Sequence, residues 1–290
     1  MTSAPAGGER VCRYLLADWE RIAPGAVRVL LLNLMPEKER TERDFIRTLA
    51  AAGCDTVLLP LRIPGERYRN TPQEYVERNY LTTDSVAHAS FDGLIITGAP
   101  LEQLPFGEVR YWDRLCALMD WAGWHAASTL YICWGAQAGL WHHYGIDKRA
   151  LPGKCFGIFA QENLATGHPL TVGLGDTFAM PHSRHTGLDE AAAYRCPQLT
   201  ALACGAESGL SIVCDDARRR VFVTGHLEYA ADTLHREYTR DLAKGLPISP
   251  PQHYYKDGDP GAGPDCTWDG AARIFYANWL RYCRAVSKGG

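Results

Sequence analysis

Residues 128–140 read STLYICWGAQAGL, an apolar β-type stretch that ends on a cysteine and passes directly into small residues that suit a helix. This is the sequence form of a nucleophile elbow, a sharp turn that exposes a reactive side chain between a strand and a helix. A cysteine placed there lies near unpaired backbone N–H groups and the positive end of the helix dipole, an environment that favours the thiolate. We therefore predict that Cys133 is a nucleophile and that the chain is an enzyme working through a covalent thioester.

The residues before this stretch alternate between strand and helix patterns. Largely apolar runs predict buried strands at residues 27–34, 56–63 and 91–97. Apolar residues at helical spacing predict helices at residues 37–52, 75–80 and 109–124. Such alternation implies right-handed crossovers and an α/β fold with a doubly wound, mostly parallel sheet. Ligands bind at the carboxyl ends of the strands in these sheets, where both Cys133 and the turn after residue 97 fall.

The second half of the chain is less regular. Two β-type segments, residues 210–214 and 220–224, flank a charged turn and predict an antiparallel hairpin. Helices are expected at residues 232–243 and 268–285, and a surface loop at residues 257–265. The histidine-containing segment 182–185 is interpreted as a polar loop. No linker divides the chain, so we expect a single domain over residues 1–290, with residues 1–26 as an N-terminal lead.

Composition excludes several functional classes. The formal net charge of −3 and the absence of basic clusters argue against a nucleic-acid surface. No stretch approaches the roughly 18 apolar residues of a membrane span. The ten cysteines are scattered and form no CxxC pair, so we expect reduced thiols, a cytoplasmic protein and no metal site.

A thiol nucleophile needs a base, and the base needs an acceptor that orients it. His226 and Glu228 supply both two positions apart after a predicted strand, a spacing that lets both side chains point to the same side of an extended chain. We predict that they complete a catalytic triad with Cys133.

The motifs around these residues resemble a known family. Five segments match its pattern in order: LNLMP (32–36), GLIITGAP (93–100), ICWGAQA (132–138), PHSRHT (181–186) and EYTRDL (237–242). The chain resembles the homoserine O-acyltransferases of methionine biosynthesis, which share the class I glutamine amidotransferase-like fold, a flavodoxin-like three-layer sandwich. The similarity extends from about Val27 to about Tyr282. Two departures are a leucine, Leu227, where the family has proline between His and Glu, and the divergent lead at residues 1–26.

The resemblance implies roles for further residues. It places substrate contacts at Lys154, Ser183 and Arg240, and cationic groups suit an α-carboxylate. Backbone N–H groups of Trp134 and near Gly98 would stabilise the oxyanion. The resemblance also implies that a glutamate at position 102 goes with acetyl transfer and a glycine with succinyl transfer. A carboxylate at Glu102 would repel the succinyl carboxylate by about 4 kcal/mol at ~4 Å in a surface-like dielectric.

The leading hypothesis is therefore acetyl transfer from acetyl-CoA, as a co-substrate rather than a permanently bound cofactor, to the hydroxyl of L-homoserine. L-Serine as acceptor and succinyl-CoA as donor stay open, because a pocket discriminates one methylene by only about 1–3 kcal/mol. Two alternatives belong to other classes, a glutamine amidotransferase and a non-enzymatic cysteine sensor. The expected partners are small molecules and, by resemblance, a second copy of the chain in a homodimer.

Overall fold

The structure is a computed structural model that describes residues 12–14, 25–68 and 70–287. The strands are β1 (Cys12–Tyr14), β2 (Val27–Leu32), β3 (Thr56–Arg62), β4 (Leu81–Thr82), β5 (Phe91–Ile96), β6 (Ala126–Ile132), β7 (Lys148–Asn163), β8 (Thr177–Leu188), β9 (Thr200–Gly205), β10 (Gly209–Asp215) and β11 (Arg220–Val223). The helices are α1 (Lys38–Ala51), α2 (Gln73–Asn79), α3 (Trp112–His125), α4 (Trp134–Tyr144), α5 (Glu190–Arg195), α6 (Thr233–Ala243) and α7 (Asp269–Ser287).

These strands form one sheet in the order β1-β3-β2-β5-β6-β11-β10-β9-β7-β8, with β4 beside β3. Neighbours from β1 to β11 are parallel, and the pairs from β11 to β8 are antiparallel. The expected α/β class and mostly parallel, doubly wound sheet are confirmed, and so is the hairpin that is now β10 and β11. Among the described residues, no helix is both long and apolar enough to cross a membrane.

Two hydrophobic cores cover the two faces of the sheet, because alternate residues of each buried strand point to opposite sides. Val29 and Leu31 of β2 pack in the core that contains α1 and α7. Leu30 and Leu32 pack in the core that contains α3 and α4. The near-continuous apolar run of β2 therefore fills both cores at once.

The connections of β2 and β5 diverge. The chain leaves β2 through α1 to reach β3 on one side, and it leaves β5 through α3 to reach β6 on the other side. Because α1 and α3 lie on opposite faces, the carboxyl ends of β2 and β5 flank a topological switch point, the place where open α/β sheets form a crevice.

The segment interpreted as a polar loop, residues 182–185, lies instead within β8, so that prediction is wrong. The strands β7 and β8 pair as a long antiparallel hairpin that the sequence patterns did not indicate. His182 and Arg184 are fully buried on this hairpin, and Arg184 donates hydrogen bonds to the carbonyls of Thr186, at 2.8 Å, and Ser208. Internal partners thus allow polar side chains to occupy a buried strand position.

Candidate active site

Cys133 lies at the turn between β6 and α4, with φ 52° and ψ −117°. A positive φ is costly for a residue other than glycine, by about 1–3 kcal/mol, and such strain is characteristic of functional turns. Hydrogen bonds hold the turn on both sides, because the Cys133 N–H donates to the Val223 carbonyl at 2.7 Å and the Cys133 carbonyl accepts from the Gln137 N–H at 3.2 Å. The predicted elbow is therefore present, with the thiol at the first turn of a helix.

Two glycines allow the backbone to approach this thiol. A Cβ added to Gly98 would lie 3.3 Å from the Cys133 Cβ and 3.7 Å from both the Cys133 Sγ and the His226 Cε1. A Cβ added to Gly135 would lie 2.7 Å from the carbonyl oxygens of Ile96 and Thr97. The turn after β5 thus passes directly beside the thiol, where its backbone could face an oxyanion.

His226 and Glu228 are both buried, and they are joined by a hydrogen bond of 2.7 Å between His226 Nδ1 and Glu228 Oε1. The backbone N–H of His226 donates to the Pro181 carbonyl at 2.8 Å, which anchors this residue to β8. A carboxylate acceptor at Nδ1 places the proton there and leaves Nε2 for the thiol. The structure therefore brings the three residues of the predicted triad together.

The electrostatics of His226 follow from these neighbours. Burial disfavours the imidazolium, but the charges of Cys133 and Glu228, and hydrogen bonds to both, raise the pKa of His226 above its usual range. The ring of Tyr229 stacks on the imidazole with centroids 4.1 Å apart and an interplanar angle of 13°. The site therefore favours a protonated imidazole beside the thiol.

The residues that were expected to contact substrate form a second group centred on Glu237. The Glu237 Oε1 accepts hydrogen bonds of 2.6 Å from both Lys154 Nζ and Ser183 Oγ. The Arg240 guanidinium reaches the same oxygen only at 4.0 Å and donates through Nε to Asp241 at 2.7 Å. Residues from β7, β8 and α6 thus meet in one charged cluster. Burial raises the pKa of the nearby Tyr229 phenol, and the negative charge of Glu237 raises it further.

The sequence of the chain matches a family model over residues 16–288, described as homoserine O-succinyltransferase. The chain belongs to the homoserine O-succinyltransferase family. Curated relatives include proteins named homoserine O-acetyltransferase from Bacteroides fragilis, 45% identical over 88% of this chain and 84% of that protein, and from Parabacteroides distasonis, 44% identical over 92% and 86%. Another protein of that name, from Geobacillus kaustophilus, is 45% identical over 88% of this chain and 85% of its own length.

Solved structures with the same fold are more distant. A glutamine amidotransferase from Thermotoga maritima superposes with a TM-score of 0.59 at 15% identity, over 89% of this chain and 98% of that one. A glutamine amidotransferase from Methylobacillus flagellatus gives a TM-score of 0.55 at 15% identity, over 90% and 96%. These likenesses establish the glutamine amidotransferase-like fold that the resemblance implied.

Glu102 lies in the turn after β5, as the family motif predicts, but its carboxylate is engaged with β8. The Glu102 Oε2 accepts from the His185 N–H at 2.7 Å and from the N–H and hydroxyl of Thr186 at 3.3 Å each. The Thr186 hydroxyl oxygen also accepts from Gln137 Nε2 at 2.9 Å. The Glu102 side chain therefore connects the β5 turn to β8 and, through Thr186, to α4.

Leu227, which replaces the proline of the family motif, leaves the histidine–glutamate contact in place. Its side chain is buried in the core, and the Tyr229 N–H donates to the His226 carbonyl at 3.3 Å to close a local turn. The hydrogen bond of 2.7 Å between His226 and Glu228 is formed with leucine at the intervening position.

Several neighbours of the triad carry no motif that would have assigned them a role. Arg47 of α1 donates from Nη2 to the carbonyls of Glu228 at 2.8 Å and Tyr229 at 2.9 Å. Asp44 is buried one turn earlier, and burial together with the charge of Glu228 raises its pKa to about 7. No sequence pattern indicated these contacts, because charged residues on a helix usually face solvent.

One group of possible metal ligands consists of His168, Cys214 and Asp216. The His168 Nδ1 accepts the Leu170 N–H at 3.2 Å, so the proton of a neutral ring is on Nε2, which lies 3.0 Å from Asp216. A metal would need that nitrogen free of its proton. The hydrogen bonds therefore favour a hydrogen-bonded pair of His168 and Asp216 at this position over a metal site.

Proposed function

We propose that this chain transfers an acetyl group from acetyl-CoA to the side-chain hydroxyl of L-homoserine through a thioester on Cys133. The observation that carries the proposal is a cysteine in a strained elbow beside the His226–Glu228 pair, in a member of the homoserine O-succinyltransferase family. The names of the 44–45% identical relatives support acetyl transfer to homoserine, and methionine biosynthesis is the corresponding process.

In the first half-reaction, the Cys133 sulfur attacks the carbonyl carbon of acetyl-CoA, and its proton resides on His226. The N–H groups of Trp134 and Gly98 are the donors that we assign to the oxyanion of the tetrahedral intermediate. Collapse of this intermediate breaks the bond to the CoA sulfur. The CoA thiolate takes the proton from His226 and leaves as CoA–SH, and the acetyl group stays on Cys133.

In the second half-reaction, His226 accepts the proton of the homoserine hydroxyl as its oxygen attacks the acetyl carbon. The second tetrahedral intermediate collapses with loss of the Cys133 thiolate, and the hydroxyl proton stays on His226, which restores the starting ion pair. Acetylation itself prepares this step, because it removes the thiolate charge that raises the pKa of His226. The imidazole then loses its proton more readily and can act as a base.

The cluster around Glu237 supports an amino-acid acceptor. Lys154 and Arg240 offer positive charge for an α-carboxylate, and Ser183 offers a hydroxyl. Both Lys154 and Ser183 already contact Glu237, so they are held in place before substrate binds. Such preorganisation reduces the entropy cost of binding.

Intact-protein mass spectrometry tests the covalent step. Incubation with acetyl-CoA in the absence of acceptor should add one acetyl group, and addition of homoserine should remove it. Cys133→Ala should abolish the adduct, whereas Cys196→Ala, a matched change at another free cysteine, should retain it. A wild-type protein that stays unmodified, or a Cys133→Ala protein that is still acetylated, would contradict the thioester.

An acceptor and donor panel tests specificity. Homoserine and serine, each with acetyl-CoA and succinyl-CoA, should give the highest kcat/KM for acetyl transfer to homoserine. Glutamine hydrolysis should be absent if the structural likeness to amidotransferases concerns fold alone. A cysteine sensor would oxidise at Cys133 but would turn over none of these substrates.

The proposal extends to a cytoplasmic homodimer. Free thiols at nine cysteines in the described part of the chain suit a reducing compartment. Light scattering coupled to size-exclusion chromatography would measure the oligomeric state directly.

A further inference from the structure

A cavity of about 530 Å³ opens at the topological switch point. The loops that follow β2, β3 and β5 line it, with Leu34, Tyr68 and Tyr111 among their side chains. We call it the switch-point cavity. Its position at the carboxyl ends of parallel strands is where folds of this type bind nucleotides and related ligands.

The switch-point cavity begins close to the nucleophile. Ala99, Pro100 and Leu101 line it, and they directly follow Gly98, whose backbone packs against Cys133. The Leu34 N–H donates to the Thr97 hydroxyl oxygen at 2.8 Å, so the β2 and β5 loops are held together at the inner end. A thioester at Cys133 could therefore extend over this turn into the cavity.

The charge of the cavity is unbalanced. Its cations are Lys38, Arg62, Arg67 and Arg110, and its one carboxylate among the described lining residues is Glu66. Glu66 is already bound at 2.5 Å by Arg110 and at 2.5 Å by Arg114, which lies outside the lining. Within the described residues, Arg62 and Arg67 have no carboxylate partner, and the buried Nε of Arg62 has no hydrogen-bond acceptor. Unpaired guanidinium groups around a cavity are typical of phosphate recognition.

A neighbouring cavity of about 680 Å³ has a different character. It contains Tyr229, Glu237 and Arg240, and so lies on the side of the acceptor cluster. Two of its cations, Arg40 and Arg236, are each paired with both Glu37 and Asp232 at 3.3–3.8 Å. The two cavities meet at Met35, Pro36, Asn70 and Pro100.

We propose that the switch-point cavity binds the pantetheine arm of the acyl-CoA donor and that Arg62 and Arg67 bind the donor's diphosphate. The proposal rests on the proposed function, which requires a CoA thioester at Cys133. It divides the two substrates between two adjacent cavities, with the acceptor amino acid near Glu237 and the donor on the opposite side of Pro100. The acetyl carbon would then lie at Cys133, next to the turn at Gly98 that leads into Pro100, a residue that lines both cavities.

Isothermal titration calorimetry with reduced CoA, and with pantetheine as a probe that lacks the phosphates, tests this assignment on the intact protein. Arg62→Gln and Arg67→Gln should each weaken CoA binding about tenfold and leave pantetheine binding unchanged. Lys244→Gln, an exposed cation of the neighbouring cavity, is the matched control and should bind CoA as the wild type does. Arg67 is exposed, so its variant tests the idea even if Arg62→Gln destabilises the fold.

Three results would overturn the donor assignment: unchanged CoA affinity in Arg67→Gln, equal loss for CoA and pantetheine, or loss in Lys244→Gln instead. Acetylation of wild-type Cys133 by S-acetylpantetheine separates this outcome from failure of the proposed function. If Cys133 is acetylated but the arginine variants bind CoA normally, the chemistry stands and the cavity assignment is wrong. If the arginines bind CoA but Cys133 is never acetylated, the cavity assignment stands and the thioester mechanism is wrong.

Discussion

The carboxylate of Glu102 accepts a hydrogen bond of 2.7 Å from the backbone N–H of His185. This contact connects the turn that follows β5 to β8, the strand that also carries Ser183. The residue to which the family resemblance assigns donor choice is thus held by the strand of a residue that we propose to bind the acceptor. Its charge is partly compensated by backbone N–H groups, so both charge and volume must be considered in donor selection.

Glu102→Gly should raise the ratio of succinyl-CoA to acetyl-CoA activity by at least about tenfold, because it removes both the repulsion of a second carboxylate and the volume of the side chain. The measurement is kcat/KM for each donor at saturating homoserine. Glu102→Gln separates the two causes, since it removes the charge and keeps the volume. Equal gains in both variants would identify charge as the cause, and a gain in Glu102→Gly alone would identify volume. An unchanged ratio in both variants would refute the role in donor choice.

Glu237→Gln should raise the KM for homoserine about tenfold or more and leave acetylation of Cys133 unchanged. The amide has the same size as the carboxylate but lacks the negative charge that holds Lys154. Loss of such a charged hydrogen bond costs about 1.5–3 kcal/mol. Single-turnover acetylation and steady-state kinetics with varied homoserine measure the two steps separately. Glu207→Gln is the matched control, because Glu207 is exposed and lies 3.8 Å from His253 in a peripheral pair. A fall in the acetylation rate equal to that in acceptor turnover would show that Glu237 does not act on the acceptor side.

The first half of the fold could be predicted because its strands are buried on both faces. The apolar runs at 27–34, 56–63 and 91–97 coincide with β2, β3 and β5 to within two residues at their ends. The elbow at Cys133 could be located because an apolar strand that runs directly into small, helix-compatible residues is typical of a strand-to-helix turn. These features depend on local patterns that a single sequence carries.

The β7–β8 hairpin and the Glu237 cluster could not be predicted in the same way. The buried Arg184 of β8 donates hydrogen bonds to the carbonyl of Thr186 in its own strand and to the carbonyl of Ser208, which is distant in sequence. Lys154 and Glu237 are 83 positions apart, and no spacing rule connects them. The motif that contains Glu237 could be recognised from the sequence. That Glu237 accepts hydrogen bonds from both Lys154 and Ser183 depends on the tertiary fold.

Gly135→Ala should destabilise the protein by about 2–3 kcal/mol and reduce acetylation of Cys133. The added Cβ would meet the Ile96 and Thr97 carbonyl oxygens at 2.7 Å, so α4 must move away from β5, with a cost typical of overpacking. Chemical denaturation gives the free energy of unfolding. Gly107→Ala is the control, because a Cβ there meets nothing within 4 Å. Equal stability of the two variants would show that the close approach of α4 to β5 is not required.

Asp44→Asn should make the protein more stable at alkaline pH than the wild type. Burial and the charge of Glu228 raise the pKa of Asp44 to about 7, whereas in the unfolded chain it is about 3.9. Between these values the folded state binds a proton that the unfolded state lacks, so the wild type loses stability as pH rises from about 4 to about 7. Asparagine cannot ionise and avoids this loss. The difference in unfolding free energy between variant and wild type should therefore increase by about 1 kcal/mol from about pH 5.5 to about pH 8, after allowance for solvent screening. Urea denaturation at both pH values measures it, and a difference independent of pH would mean that Asp44 is already ionised at the lower one.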